Sequence, residues 1–157
     1  MNRDPRLCQQ FVRDAKVLFR SFPEVAHQWS IDDDEDHCFL VINGRGNPGY
    51  DIDVEVYPQG ITLSAEGWHH HHQLMEPIDD FLAEMLGRIR DMLSPAMRLR
   101  ELSANGSPFR WYLENCVEGV WWTESECSLL FWNRFGRRTE RIYTNTLLPA
   151  RESHVGQ

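Results

Sequence analysis

The chain lacks the features that would place it in several large functional classes at once. No run approaches the ~18 consecutive apolar residues that a membrane-spanning helix needs, and no apolar signal segment precedes the first charged residues. The four cysteines, Cys8, Cys38, Cys116 and Cys127, include no C-x-x-C pair. They read as small core residues with reduced thiols, not as a zinc set or a disulfide framework. Lysine is nearly missing: Lys16 is the only one, and the rest of the basic charge is arginine, which suits planar contacts to carboxylate or phosphate. An excess of positive charge is missing too. The net charge of −8 argues against nucleic acid and anionic membrane as partners. There is no P-loop, no glycine-rich dinucleotide fingerprint and no nucleophile elbow, so catalysis has no motif to stand on. The expectation is a cytoplasmic, soluble and non-enzymatic protein.

What is present describes a folded domain. A 157-residue chain that is 41% hydrophobic and 11% aromatic is long enough for one sizeable core. Residues 1–80 carry 6 basic against 15 acidic side chains, and residues 81–157 carry 10 against 9, so the negative charge sits in the first half. Asp4-Pro5 reads as a helix start. Leu7, Cys8, Phe11, Val12, Ala15, Leu18, Phe19 and Phe22 then recur at helical spacing until Pro23. The runs HCFLVING, YDIDVEVY and ITLSAE read as strands separated by GRGNPG and YPQG. Matching their apolar faces pairs Val56 with Ile61, Val54 with Leu63 and Ile52 with Ala65, and places Asp51 opposite Glu66. A second helix follows Pro77, with Asp79 and Asp80 in its first turn and a stripe from Ile78 to Leu93. Four further β-type segments, "MRLRELS", "FRWYLENCV", "VWWTESECSLLFW" and "TERIYTNTLL", complete the chain. The predicted fold is a single α+β domain over 1–150, with 151–157 as a disordered tail. Its order is helix, three strands, helix, then three or four strands, with a mostly antiparallel sheet and both helices on one face.

The stretch EGWHHHHQLMEP, residues 66–77, holds the most suggestive chemistry. Alternate residues of a strand project to one side, about 6.8 Å apart, so His69 with His71, or His70 with His72, has the spacing to chelate a divalent transition metal. Glu66 and Asp51 are the nearest further ligands, and a bulge at Gly67 would be needed to bring Glu66 close to His69. The plainer reading is a polar strand end anchored by a buried Trp68, since no zinc-site spacing accompanies the histidines. Asp32 to Asp36 form a run of five carboxylates without the glycine and ligand spacing of an EF-hand, which reads as an exposed turn.

Two further features point to an interaction surface. Trp121 and Trp122 must face opposite sides of a strand, leaving one exposed or covered by a partner. Arg134, Arg137, Arg138 and Arg141 gather among aromatics in FWNRFGRRTER, a pattern suited to an acidic peptide or phosphate and equally to cross-strand pairing within the protein.

GWHHH (67–71), GSPFRWYLE (106–114) and LLFWNRFGRRTERIYTN (129–145) together resemble a group of small bacterial proteins to which no activity is assigned. The resemblance covers residues 50–145 and implies that Trp68, His69 and His71 belong to a pattern, while His70 and His72 are incidental. The element order also looks like that of type III secretion chaperones, which dimerise and hold partner segments, although the last helix of that class is missing here. The combined expectation is a non-catalytic binding module with a protein partner or a second copy of itself. The alternative is a metal-binding protein or metalloenzyme that uses the His69–His72 segment.

Overall fold

A computed structural model describes residues 6–130 and 135–151. The Asp4-Pro5 start, Phe131, Trp132 and Arg134 therefore lie outside the described residues. Helix α1 (Arg6–Ser21) is followed by β1 (His27–Ile31), β2 (Cys38–Ile42), β3 (Ile52–Tyr57), β4 (Gly60–Ala65) and β5 (Trp68–Gln73). Helix α2 (Ile78–Met92) then leads into β6 (Met97–Ala104), β7 (Ser107–Val117), β8 (Val120–Ser128) and β9 (Arg138–Tyr143). The result is a single α+β domain with every strand pair antiparallel, as the alternation in the sequence predicts. The strands divide between two sheets: a meander in the order β1-β2-β3-β4-β5, and a second sheet in the order β8-β7-β6-β9.

The period of each segment explains its place. In β3 every second residue is buried, Ile52, Val54 and Val56, while Asp53 and Glu55 line the other face. Their partners are those that the hydrophobic pattern requires, Val54 with Leu63 and Val56 with Ile61. Tyr57 also pairs with Gly60, so YPQG closes on Pro58-Gln59 as a tighter turn than its four residues suggest. Helix α1 buries Leu7, Cys8, Phe11, Ala15 and Phe19 and contacts β3. Helix α2 buries Ile78, Phe81, Leu82, Met85, Ile89 and Met92 and touches both α1 and β6. Both sheets and both helices contribute to one continuous core. Among the described residues, no helix is long and apolar enough to cross a membrane.

A polar latch closes this core. Asn145, fully buried just beyond β9, donates from Nδ2 to the carbonyls of Tyr50 at 2.9 Å and Met92 at 3.1 Å. Its Oδ1 accepts the Tyr50 N–H at 3.1 Å. The Tyr50 hydroxyl donates to the same Met92 carbonyl at 2.8 Å, and burial pushes that phenol above its ordinary pKa. The loop before β3, the end of α2 and the segment after β9 are thus joined at one amide. Arg151, at the predicted start of the tail, is held as well, with Nε and Nη2 donating to Asp91 at 2.8 and 2.6 Å.

Replacing Asn145 with Ala or Leu removes the side-chain partner of the buried Tyr50 N–H and C=O and one of the two donors to the Met92 carbonyl. Each variant is expected to lose roughly 2–4 kcal/mol of unfolding free energy, because unsatisfied buried polar groups cost about 1–3 kcal/mol apiece. Urea denaturation measures this, and an Asn145→Leu protein as stable as the parent would contradict the latch.

Candidate functional site

The histidines form a complete strand, not a frayed strand end. Along β5, Trp68, His70 and His72 stand opposite Ala65, Leu63 and Ile61, the buried row of β4. His69 and His71 stand opposite Ser64 and Thr62. Strand alternation therefore sends the two pairs to opposite faces. Trp68 is buried to 1% exposure, the anchor that the sequence suggests, and its Nε1 donates to Ser125 Oγ at 2.9 Å.

That bond crosses from the first sheet to the second, and a bulge makes it possible. Leu113 faces Ser125 while Glu114 faces Thr123, so Glu124 is the extra, unpaired residue of β8. Bulges bend a strand and re-aim its side chains. Here Glu124 reaches Arg88 of α2 in an ion pair, and Glu84, one turn earlier, lies 4.0 Å from the same guanidinium. His70, His72, Arg88, Glu124 and Ser125 line a pocket of about 210 Å³.

The His70 and His72 rings lie 4.5 Å apart. Burial, then the neighbouring His70 and Arg88, push the His72 pKa down to about 4. Burial and then Arg88 also lower that of His70. Both imidazoles are therefore neutral near pH 7. His72 Nε2 and Arg88 Nε are buried nitrogens without a hydrogen-bond partner, and both belong to this pocket.

The residues expected to hold a metal are distributed differently. His71 Nδ1 hydrogen-bonds with Thr62 Oγ1 at 2.9 Å, and His69 Nδ1 lies 3.5 Å from the Cys127 thiol. Asp51 and Glu66 line a separate concavity of about 410 Å³ with Gly44, Arg45, Gly46, Gly49 and Tyr50. Asp51 Oδ1 accepts the Gly44 N–H at 2.9 Å. Burial, Glu101 and Asp51 together raise the Glu66 pKa. No bulge occurs at Gly67: the β4–β5 register runs unbroken to Ala65 opposite Trp68, and Glu66 and Gly67 form the turn. A Cβ on Gly67 would stand 2.1 Å from the Trp111 ring, so a close approach explains this glycine. Among the described residues, no three His, Cys, Asp or Glu side chains are grouped as metal ligands would be.

The residues expected at an interface also separate. Trp121 and Trp122 do face opposite sides. Arg98 stacks on Trp121 at 4.1 Å, beside Glu114, which accepts from both Arg98 and Arg100 at 2.6 and 2.7 Å. Trp122 is 60% exposed. Arg137 is tied through its backbone to Asn105, whose Oδ1 accepts its N–H at 3.0 Å, and the Arg138 guanidinium lies 4.8 Å over Phe109. Arg88, Glu124 and Ser125 were not expected at a site, and His70 with His72, expected only as an alternative metal pair, line this pocket. The alternation along β5 was available as a signal for the two histidines; the bulge that brings in Glu124 had none.

The depressed His72 pKa predicts a pH effect. Between about pH 6.5 and pH 4 the unfolded chain binds a proton at residue 72 that the folded chain refuses, so stability is lost as pH falls through that window. His72→Gln should flatten the loss in thermal melts from pH 7 to pH 4.5. An unchanged slope would contradict the burial of a neutral imidazole here.

No protein-family model, curated protein or solved structure matches this chain, so its chemistry is read from its own residues.

Proposed function

We propose that the protein is a non-catalytic binding module that associates with a second copy of itself through the far end of the β7–β8 hairpin. The observation that carries this reading is an apolar face left without cover. Val117 pairs with Val120 and Asn115 with Trp122, so these side chains share one side of the hairpin. Leu113, on the same side of β7, is fully buried, whereas Val117, Val120 and Trp122 are 49%, 52% and 60% exposed. The core face of the second sheet thus runs on past the elements that cover it. Exposed apolar clusters of this kind mark contact surfaces more often than isolated residues do, and tryptophan is the residue type most enriched at interface hot spots.

Strand β8 is also an edge strand of its sheet, met by β5 at Ser125 and Cys127, past the Val120–Trp122 end. An edge presents unpaired N–H and C=O groups that a further strand can satisfy. Two copies meeting antiparallel at this edge would pair these groups and bury both Trp122 side chains by one two-fold operation, the commonest symmetry of small assemblies.

Analytical ultracentrifugation at micromolar concentrations is expected to find a dimer. Trp122→Lys should move it to monomer with no change in circular dichroism, since the ring is mostly exposed. A wild-type monomer across the concentration range, or a dimer indifferent to Trp122→Lys, would remove this reading.

A further inference from the structure

We propose that the pocket between β5, α2 and the β8 bulge is a binding site for a small oxyanion of the phosphate or carboxylate class. Its lining is rich in hydrogen-bond donors. Ser125 Oγ already accepts from Trp68 Nε1, which leaves its hydroxyl proton to donate into the pocket. Arg88 has its Nη1 on Glu124, but its Nε–H has no acceptor, and a guanidinium has no accepting capacity of its own. The neutral imidazoles of His70 and His72 each carry one N–H, and His72 Nε2 is also unpartnered. Against these four donors stand the Glu124 carboxylate, already engaged by Arg88, and the second ring nitrogen of each neutral imidazole, a weaker acceptor. A cavity of about 210 Å³ with surplus N–H and O–H groups is completed by acceptor oxygens. A water supplies two lone pairs; an oxyanion supplies more, together with charge-assisted bonds.

The same geometry opposes a cation. The Arg88 guanidinium lies in the pocket with Glu124 as its counter-ion, and among the described residues the two histidines and Glu124 are not grouped as metal ligands would be. Glu124 therefore has opposite roles in the two cases. For an anion it is the internal competitor for Arg88, and removing its charge strengthens binding. For a metal ion it is the nearest carboxylate ligand, and removing its charge weakens binding.

The test is titration of the full chain with inorganic phosphate, with acetate and with zinc, followed by calorimetry and by the imidazole signals of His70 and His72 in NMR. Saturable phosphate or acetate binding that shifts those two imidazoles is expected, and comparison of the two anions distinguishes a tetrahedral from a carboxylate ligand. Glu124→Gln is expected to tighten anion binding by roughly tenfold, the scale of one nearby charge in a partly screened site. Ser125→Ala, a small change that spares Arg88, should weaken it several-fold, and Arg88→Gln should abolish it. No anion binding to either the wild type or Glu124→Gln at millimolar concentrations, or zinc binding that is lost in Glu124→Gln and kept in Arg88→Gln, would overturn the proposal.

Discussion

The hydrogen bonds of Asn145 are the constraint on which the arrangement of the two halves depends. A sheet of five strands and a sheet of four could pack over two helices in several ways, because apolar burial is non-directional. Hydrogen bonds are directional, and a buried amide with three backbone partners accepts only one placement of them. By joining the Tyr50 backbone to the Met92 carbonyl, Asn145 sets the end of α2 against the loop that opens β3. Close glycine contacts reinforce this: a Cβ on Gly44 would meet the Tyr50 carbonyl oxygen, and one on Gly46 the Thr144 carbonyl oxygen, each at 1.9 Å. The glycine-rich loop is thus a backbone seam and needs no ligand to explain its composition.

Once α2 is fixed, the position of Arg88 follows, and with it the meeting of two sheet edges. Strand β5 ends the first sheet and β8 ends the second. Bare edges are liabilities that natural folds cover, twist or charge. Here the two edges approach each other, tied by the Trp68–Ser125 and His69–Cys127 contacts. Arg88 and Glu124 fill the corner with an ion pair whose side chains are 22% and 28% exposed. In such a position the pair contributes modestly to stability, since partial desolvation offsets its attraction. Its larger effect is to hold the guanidinium in the pocket.

Much of this fold was legible in the sequence because its strands obey a period of two. The alternation in YDIDVEVY and ITLSAE determined the β3–β4 register, since a shift by one residue would have turned Asp53 and Glu55 into the core. The stripe from Ile78 onward located α2 for the corresponding helical reason. Strand β1, HQWSI, was not legible: its residues are half-buried or exposed, and its alternation is limited to Trp29 and Ile31, too short to mark a strand. Strand β5 was hidden in the same way, with Trp68 its only buried residue, and was read as a strand end. The division into two sheets depends on which strands meet far from one another in sequence, and local patterns carry no record of that. The site suffered most. The expected ligands were His69 and His71, while the strand's phase, set by Trp68 entering the core, puts His70 and His72 on the pocket side, His72 half-buried and His70 exposed.

The bulge at Glu124 separates two tasks along a single strand. In an unbroken strand Trp122 and Ser125 would face opposite sides, being three residues apart. The extra residue restores Ser125 to the side of Leu113, so Trp122 and Ser125 both continue the core face of the sheet. Ser125 lies where that face is closed by Trp68 and the pocket. Trp122 lies beyond the cover, where the face is open. A strand without the bulge would have to sacrifice one of these: with Trp122 kept on the apolar side, residue 125 would point outward, and Trp68 Nε1 would lose its acceptor in the core. The unpaired residue in β8 is therefore the local irregularity through which one edge strand both seals the corner between the sheets and extends an apolar face past it.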